Sequence, residues 1–421
     1  MSVFQALFAG VNGIGANGTV TAIIGDNIAN VNTTGFKSAR AEFEDILAGG
    51  GLASGLGSRV SGTTTQYAQG GFESTTSVTD LAIDGEGFFP VKDTADGTTY
   101  YTRAGQFFID KDGYMVNQQG LRLQGFGVDS SGNVSTTADD FQFTFEPVSP
   151  SATTTIDVAA NLNSNSTPPA AFDVSDPVAT SNFAAGITVY DSIGNSHLVT
   201  VYFRKQSTTN NNWSWYAVVD GDDITGATAA QIEAQGILTF DNNGALTAEV
   251  VSATDFDFQG ATQSQSILFD FGSVTSTGSG VDGMTQFGTT SSLNDISQDG
   301  YTSGNLTTLE VSGDGTISGN YTNGTTQTLG QISLALFQNN QGLARVGGNA
   351  YEETIQSGVP LVDAAEAGGR GTVLSKTLEQ SNVDLANELI KMVIIQRGFQ
   401  ANTRTISVVN ELLGSLVNLG N

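Results

Sequence analysis

The stretch NVDLANELIKMVIIQRGFQANTRTISVVNELLGSL, residues 382–416, carries the strongest secondary-structure signal in this chain. Its apolar side chains recur every seven residues, with others three positions further on, as in a helix that packs along a partner helix. Ser381 or Asn382 is the expected N-cap, and acidic Asp384 suits the first turn. We therefore predict a helix from about 382 to about 416. Its predicted contact residues are Leu385, Leu389, Met392, Ile395, Phe399, Ile406, Val409, Leu413 and Leu416.

The opposite end of the chain has a weaker helical pattern. Apolar residues between Phe4 and Val31 recur at spacings of three, four or seven, but glycines interrupt them at a cost of up to about 1 kcal/mol each. Residues 1–36 contain one charged side chain, Asp26, whereas a helix in bulk solvent usually carries charge on its outer face. We expect this helix to pack against neighbouring subunits or line a polar tunnel; a helix pair that closes a globular domain is the alternative. Its predicted contact residues are Phe4, Leu7, Val11, Ile14, Ile24 and Ile28.

Between the two ends, apolar and polar residues alternate as in antiparallel strands. Expected strands include Leu121–Val128, Phe141–Phe145 and Ile332–Phe337, while 199–203 and 213–219 each place large apolar residues on one face. Asp-Gly and Asn-Gly pairs punctuate the strands, as in hairpin turns. The body of the chain is therefore predicted to be antiparallel β.

The predicted fold class is α+β and multidomain, with terminal helices paired as a coiled-coil-like inner domain and two nested antiparallel β domains. Linker-like stretches at 146–155 and 272–283 bracket an expected insertion. The predicted division is 1–32 with 382–421 for the helices, 33–70 with 361–381 for a linking region, 71–145 with 287–360 for a discontinuous β domain, and 146–286 for the inserted β domain.

Composition narrows the function classes. The net charge of −27 disfavours nucleic acid and anionic membranes, and any self-association must overcome like-charge repulsion through local apolar surfaces. The chain has no Cys and one His, which excludes thiolate chemistry and multi-His metal sites. Polar residues interrupt the apolar run Val20–Val31, so we predict no membrane insertion. The first cationic side chain is Lys37, so no cleaved export signal is expected.

Local motifs give no sign of catalysis or of a cofactor. Residues 13–18 match GxGxxG, but no strand precedes them, so close helix approach explains them better than a dinucleotide site. The Asp110 and Asp241 segments fail the spacing of a calcium loop and suit hairpin turns. His197 lacks a nucleophile motif. The prediction is therefore a non-enzymatic protein without cofactor or metal.

Four segments resemble the bacterial flagellar axial proteins, the rod and hook family. They are DNIANVNTTGFK at 26–37, DLAIDGEGFFPV at 80–91, YTRAGQFFIDKDGYMVNQQGLRLQG at 101–125 and LEQSNVDLANELIKMVIIQRGFQAN at 378–402. The signature residues within the two terminal segments are Asn27, Ile28, Ala29, Asn30, Thr34, Gly35, Phe36, Ser381, Asn382, Val383, Asp384, Gln396, Arg397, Gln400 and Asn402.

The insertion and the segment ITVYDSIGNSHLVTVYFRK at 187–205 favour the hook branch of that family over its shorter rod members. The resemblance implies a structural subunit that polymerises with itself into a curved, flexible tube around an export channel and transmits motor torque from rod to filament. It also implies type III export without cleavage, an extracellular place in the flagellar hook, and contacts with the distal rod, the hook cap and the hook–filament junction proteins. A distal rod or other basal-body axial subunit, a flagellin and a secreted glycan-binding enzyme are the alternatives.

Overall fold

The computed structural model describes residues 3–47, 55–129, 132–143 and 145–419. A helix lies at each end of the chain, and antiparallel sheets dominate between them, which confirms the predicted α+β class. Helix α1 spans Val3–Ala29, and helix α2 spans Leu385–Leu419. The strands in chain order are β1 Ala39–Leu47, β2 Gly55–Thr65, β3 Phe72–Ser74, β4 Leu81–Asp84, β5 Phe89–Lys92, β6 Thr99–Thr102, β7 Phe108–Ile109, β8 Met115–Val116, β9 Arg122–Gly127, β10 Asp139–Asp140, β11 Thr155–Asn161, β12 Phe183–Tyr190, β13 Ser196–Lys205, β14 Asn212–Val219, β15 Gln231–Phe240, β16 Leu246–Ala253, β17 Asp255–Phe256, β18 Gln265–Ser266, β19 Leu268–Asp270, β20 Ser292–Gln298, β21 Leu306–Val311, β22 Thr316–Tyr321, β23 Thr326–Leu336, β24 Ala344–Gly347, β25 Ala350–Glu352, β26 Leu361–Ala364, β27 Thr372–Ser375 and β28 Thr377–Glu379.

The chain divides into two compact units. Unit 1 comprises Met1–Phe145, Thr308–Asn320 and Thr326–Asn421, and unit 2 comprises Glu146–Thr307 and Tyr321–Thr325. The inserted unit therefore continues beyond the expected boundary at 286. The reason is that β20 pairs antiparallel with β11, which keeps the residues up to Gln298 within the inserted sheet.

Unit 1 combines both helices with a sheet whose central order is β21-β22-β23-β9-β5-β6-β25-β24. Its core contains Leu81, Phe89, Val91 and Leu123, all fully buried. The segment expected to act as a linking region at 361–381 is instead part of the β body, because β26 pairs with β23, β27 with β4 and β28 with β3. Strands β1 and β2 form a separate hairpin that packs on α1, where the Nδ2 of Asn12 donates to the carbonyl of Leu56 (2.9 Å).

Unit 2 is built around an antiparallel meander of β12, β13, β14, β15 and β16. The inward faces predicted at 199–203 and 213–219 are both buried, and Phe203, Trp213 and Trp215 are completely inaccessible to solvent. These rings pack with further aromatic residues, such as Phe269 and Phe271, into one closed core.

The expected strand at Phe141–Phe145 is wrong. Phe141 and Phe143 are buried, but their backbone groups bond alternately to different partners: the N–H of Phe141 donates to Leu123 (2.9 Å), and the N–H of Phe143 donates to Gly113 (2.7 Å). Among the described residues of this segment, only Gln142 forms a bridge, an isolated one to Tyr114. The other two expected strands lie in β9 and β23.

Candidate assembly surface

The two terminal helices lie side by side and antiparallel. Near the middle of α1, a Cβ on Gly13 would come within 2.4 Å of the Nδ2 of Asn402. Near its end, the Nδ2 of Asn27 donates to the Oε2 of Glu388 (3.3 Å). The contacts on α2 therefore come earlier in the sequence as α1 proceeds, so the helices are antiparallel, and Gly13 leaves room for the Asn402 amide between them.

The other glycines of the GxGxxG match have no such explanation within one chain. The motif lies inside α1, without the strand and turn that a dinucleotide site needs. A Cβ built on Gly15, Gly18 or Gly25 would meet nothing within 4 Å. These three glycines weaken the helix and yet leave open space beside it.

The structure divides the predicted contact residues into two groups. In α1, positions 4 and 11 point about 60° away from positions 7 and 14, so the partner helix covers the second set and leaves the first at the edge or outside. In α2, residues of the same seven-residue set fall in both groups. The half-buried or buried group is Leu7, Ile14, Ile24, Ile28, Met392, Ile395, Ile406, Val409 and Leu413. The exposed group is Phe4, Val11, Leu385, Leu389 and Phe399. The side chain of Leu416 lies outside the described residues.

A second, exposed stripe runs along α1, and we call it the α1 outer seam. Its positions alternate in spacings of four and three, which is the repeat of a helix-packing seam. Its residues are Phe4, Phe8, Val11, Gly15, Gly18, Ala22, Gly25 and Ala29. Of these residues, only Phe4 and Val11 were among the predicted contact residues; the four–three spacing was the available signal for the others.

Helix α2 also leaves a large apolar surface uncovered, which we call the α2 outer face. Leu389, Ile390, Val393 and Ile394 are between 47% and 61% exposed, and Leu385, Phe399, Val408 and Leu412 are exposed further along the helix. Only Leu385, Leu389 and Phe399 of this surface were among the predicted residues. Contiguous exposed apolar patches of this kind mark interaction sites.

The N-cap of α2 differs from the expectation. Asp384, rather than Ser381 or Asn382, caps the helix: its Oδ1 accepts from the N–H groups of Ala386 (2.9 Å) and Asn387 (3.1 Å). Asn382 does not cap the helix because its side chain forms hydrogen bonds with residues that follow α1. A carboxylate at this position also suits the helix dipole.

A buried charge cluster ties together the segments that leave both helices, and we call it the linker clasp. The Nζ of Lys37 lies 2.6 Å from the Oε1 of Glu379, and both side chains are fully buried. The Oε1 also accepts from the N–H of Gly70 (2.9 Å), and Arg103 lies 3.5 Å from the Oε2. Burial lowers the pKa of Lys37 and of Arg103, and the Glu379 carboxylate opposes that shift. Removing one charged side chain of the clasp would therefore leave buried charge without its partner, which is destabilising.

Two asparagines of the family signatures reinforce the same junction. The amide of Asn27 makes a two-way bond with the backbone of Ala39, at 2.8 and 2.9 Å. Asn382 accepts from the N–H of Ser38 (2.7 Å) and donates to the carbonyl of Gln66 (2.8 Å). These residues hold the junction of the helices with the rest of unit 1.

Gly35 and Phe36 show why that junction tolerates few residue types. Gly35 has a φ of +68°, and a Cβ there would lie 2.5 Å from the amide nitrogen of Ala104, so only glycine fits. Phe36 is buried beneath the guanidinium of Arg345. Among the signature residues, Asn27, Gly35 and Phe36 are buried, Ile28, Asn30, Thr34, Ser381, Asn382, Val383 and Asn402 are half-buried, and Ala29, Asp384, Gln396, Arg397 and Gln400 are exposed.

The single histidine lies in unit 2, where it packs in the interior. The Nε2 of His197 is 3.2 Å from Asp191, its Nδ1 is 3.3 Å from Asp223, and its ring stacks on Phe258 at 4.2 Å. Within the described ranges, no group of three His, Asp or Glu residues is placed to hold a metal ion. Asp110 and Asp241 cap tight turns through backbone N–H groups.

By length and composition alone, α1 is apolar enough to cross a membrane, although few of its residues are buried within the chain. The prediction of no membrane insertion rested on the shorter run at 20–31. The same apolar, exposed character is what a helix needs to pack between other helices.

The amino-acid sequence is similar to flagellar proteins along its whole length. Residues 82–164 match the flagellar hook protein FlgE/F/G D1 domain, 161–301 match the flagellar basal body protein FlaE D2 domain, and 374–419 match the flagellar basal body rod FlgEFG protein C-terminal family. The chain is 37% identical to flagellar hook protein FlgE of Salmonella typhimurium, covering 100% of both chains. It is 36% identical to flagellar hook protein FlgE of Escherichia coli, covering 99% of this chain and 100% of the relative.

A solved structure shares the fold. The crystal structure of Helicobacter pylori flagellar hook protein FlgE2 matches with a TM-score of 0.55 at 15% sequence identity, over 73% of this chain and 100% of that chain.

Proposed function

The chain belongs to the flagellar hook protein family, and on that premise we propose that it polymerises through the α1 outer seam and the α2 outer face. It is a structural subunit of the bacterial flagellar hook, which polymerises with itself, and not an enzyme. Full-length similarity to hook proteins disfavours the rod subunit and the glycan-binding enzyme considered above.

One observation carries the assignment of the α1 outer seam. Gly15, Gly18 and Gly25 weaken the helix by up to about 1 kcal/mol each, and no atom of the described residues lies within 4 Å of a Cβ built on any of them. A neighbouring helix that packs closely against the small residues would account for both facts. The larger Phe4 and Phe8 at the start of the seam would then act as anchors.

The α2 outer face supports the same proposal through its size. Burying one Leu or Ile side chain contributes roughly 1.5–3 kcal/mol. Three such residues and Val393 lie within about one and a half turns, from Leu389 to Ile394. Their combined burial can overcome the repulsion between copies that each carry a net charge of −27.

The proposal also assigns a role to each part of the chain. Segments 1–32 and 382–421 are the assembly domain, 33–70 links it to the β body, and the strands of unit 1 and the inserted unit 2 form the β domains. Surfaces rich in Ser, Thr, Asn and Gly can exchange contacts and bridging waters at small net cost. Such β surfaces would let a curved, flexible tube bend while the apolar helices keep it intact.

The remaining proposals depend on family membership. The tube transmits motor torque from rod to filament and encloses the export channel. The subunit leaves the cell through the type III export apparatus without cleavage and assembles outside it. Its other partners are the distal rod, the hook cap and the hook–filament junction proteins, with neither nucleic acid nor an inserted membrane segment involved.

The decisive experiment is Leu389→Asp in the full-length protein. The substitution places a charge in the α2 outer face, where the side chain is exposed in the single chain, so we expect an unchanged fold and no tubes. Far-UV circular dichroism and thermal unfolding check the fold, and electron microscopy with sedimentation checks the polymer. Val178→Asp, at an exposed valine of unit 2, is the matched control and should still polymerise. Normal tubes from Leu389→Asp would refute the proposed surface.

A further inference from the structure

A groove in unit 2 combines an apolar floor with carboxylates at one end. It lies on the outer face of β13 and β14, opposite the face that buries Trp213 and Trp215, and has a volume of about 480 Å³. Leu198 is 59% exposed on the floor of the groove, and an acidic turn follows β14 directly. We define the meander groove by Pro177, Leu198, Tyr202, Asp220, Asp222 and Asp223.

The backbone of the acidic turn is held in place by hydrogen bonds. The Oδ1 of Asp220 accepts from the N–H of Asp222 (3.1 Å), and the N–H of Gln259 donates to the carbonyl of Asp223 (2.9 Å). Much of the cost of association lies in ordering loops and side chains, and a turn that is already ordered avoids part of that cost. The carboxylates therefore stand on a prepared backbone.

The basic side chains of unit 2 do not neutralise the acidic turn. Arg204 and Lys205 are the only Lys or Arg residues in the sequence of this unit. The guanidinium of Arg204 donates to the carbonyls of Ala170 (2.7 Å) and Pro169 (3.1 Å), and the Nζ of Lys205 donates to the carbonyl of Ser164. Both cations are thus engaged by backbone oxygens rather than by the aspartates.

The three aspartates differ in how they are engaged. Asp220 caps the turn, and the Oδ1 of Asp223 lies 3.3 Å from the Nδ1 of His197. The side chain of Asp222 is exposed, and its carboxylate has no hydrogen-bond or ion-pair partner among the described residues. Asp222 is therefore the carboxylate best placed to meet a cation from another molecule.

An apolar floor that ends in carboxylates is complementary to an arginine side chain. The aliphatic stem of arginine packs on apolar surface, while its guanidinium pairs with carboxylates and stacks on aromatic rings. Tyr202 offers such a ring: it is half-buried in the groove, and its centroid lies 5.9 Å from that of Phe172. We propose that the meander groove binds an arginine-containing cationic segment of another protein. A second copy of this chain is a poorer match, since its net charge of −27 opposes approach to the acidic end.

Peptide binding by the full-length monomer, at concentrations below the onset of polymerisation, tests the proposal. A fluorescein-labelled peptide of alternating Arg and Leu should bind at low salt, as measured by fluorescence anisotropy, and added salt should weaken binding. Asp222→Lys should raise the Kd about tenfold through repulsion, and Leu198→Ser should raise it about threefold through loss of apolar contact. Asp295→Lys is the matched control: Asp295 is also exposed in unit 2, and its replacement changes the net charge equally, so the Kd should change less than about twofold. Unchanged urea midpoints of tryptophan fluorescence show that unit 2 of each variant is folded.

Several results would overturn the proposal. Absence of binding at low salt would do so, as would equal weakening by Asp222→Lys and Asp295→Lys, which would mean that the peptide responds to bulk charge alone. Equal binding of a peptide in which citrulline, the neutral analogue of arginine, replaces each Arg would mean that the groove does not recognise a cation. Tubes that bind no peptide, although the monomer binds it, would assign the groove to a neighbouring copy of this chain instead.

Discussion

The meander of unit 2 and the terminal helices of unit 1 use similar apolar residues in opposite ways. In the meander, Trp213, Trp215 and Phe203 are completely buried within their own unit. In the helices, Phe4 is 60% exposed and Ile394 is 61% exposed. The meander buries its large apolar side chains within its own unit, whereas the helices expose apolar surface that another molecule would have to cover.

This contrast separates two properties that are often measured together. Substitutions in the meander should change the stability of the single chain and spare polymerisation. Substitutions on the outer helix surfaces should do the reverse. Both tryptophans lie in unit 2, so tryptophan fluorescence reports that unit alone, while far-UV circular dichroism near 222 nm weights the helices.

The largest effect on stability is expected from Trp215→Ala. Removing a fully buried indole should lower the free energy of unfolding of unit 2 by about 3–5 kcal/mol. Urea unfolding followed by fluorescence of the remaining Trp213 measures the loss. Ile237→Ala, on the neighbouring strand and 37% exposed, is the control and should cost much less. Loss of polymer at a temperature where unit 2 is still folded would contradict the separation of the two properties.

The linker clasp should come next, through Glu379→Gln. Without the carboxylate, Lys37 and Arg103 remain buried as uncompensated cations, so unit 1 should lose about 3 kcal/mol of stability. Denaturant unfolding monitored by circular dichroism gives the change. Arg59→Ala breaks an exposed ion pair with Glu44 and should cost less than about 1 kcal/mol. Equal costs for both substitutions would mean that the clasp is energetically ordinary.

Much of the architecture was predictable from local patterns, because the spacing of apolar residues matches the secondary structure that forms. The alternating apolar residues at 199–203 and 213–219 give buried strand faces, and the seven-residue repeat from Leu385 onwards gives α2. The α+β class and the flagellar family were predicted correctly.

What escaped prediction depends on contacts between distant parts of the chain. No local pattern links Lys37 to Glu379, and the pairing of β11 with β20 joins residues far apart in sequence. The cap at Asp384 was missed because Asn382 is engaged by Ser38, a residue near the other end of the chain. Most of the α1 outer seam was missed for a different reason: a Cβ on its glycines would contact no other described residue of the chain.

Substitution of those glycines should have smaller effects, which are favourable for the monomer and unfavourable for the polymer. Replacing Gly15, Gly18 and Gly25 with Ala should stabilise α1 in the monomer by up to about 1 kcal/mol per site, since no atom opposes the new Cβ. The same substitutions should raise the critical concentration for polymerisation, because a closely packed helix would meet the added methyl groups. Gly414→Ala, in open space on α2, should help the helix without harming the polymer. Improved polymerisation by the seam variants would refute close packing there.

The smallest effect concerns pH and sharpens the same contrast, because unit 2 has buried titratable groups and the α1 outer seam has none. Burial alone would raise the pKa of Asp191, but hydrogen bonds from His197 and from the N–H groups of Asn195 and Ile193 hold it below its usual value. A carboxylate whose pKa is lower in the folded state adds stability above its unfolded pKa of about 3.9, and that stability is lost as pH falls through the folded pKa. Unit 2 should therefore lose stability below about pH 4. Asp191→Asn should make the fluorescence-detected urea midpoint depend less steeply on pH in that range, whereas an unchanged slope would mean that other carboxylates carry the acid sensitivity.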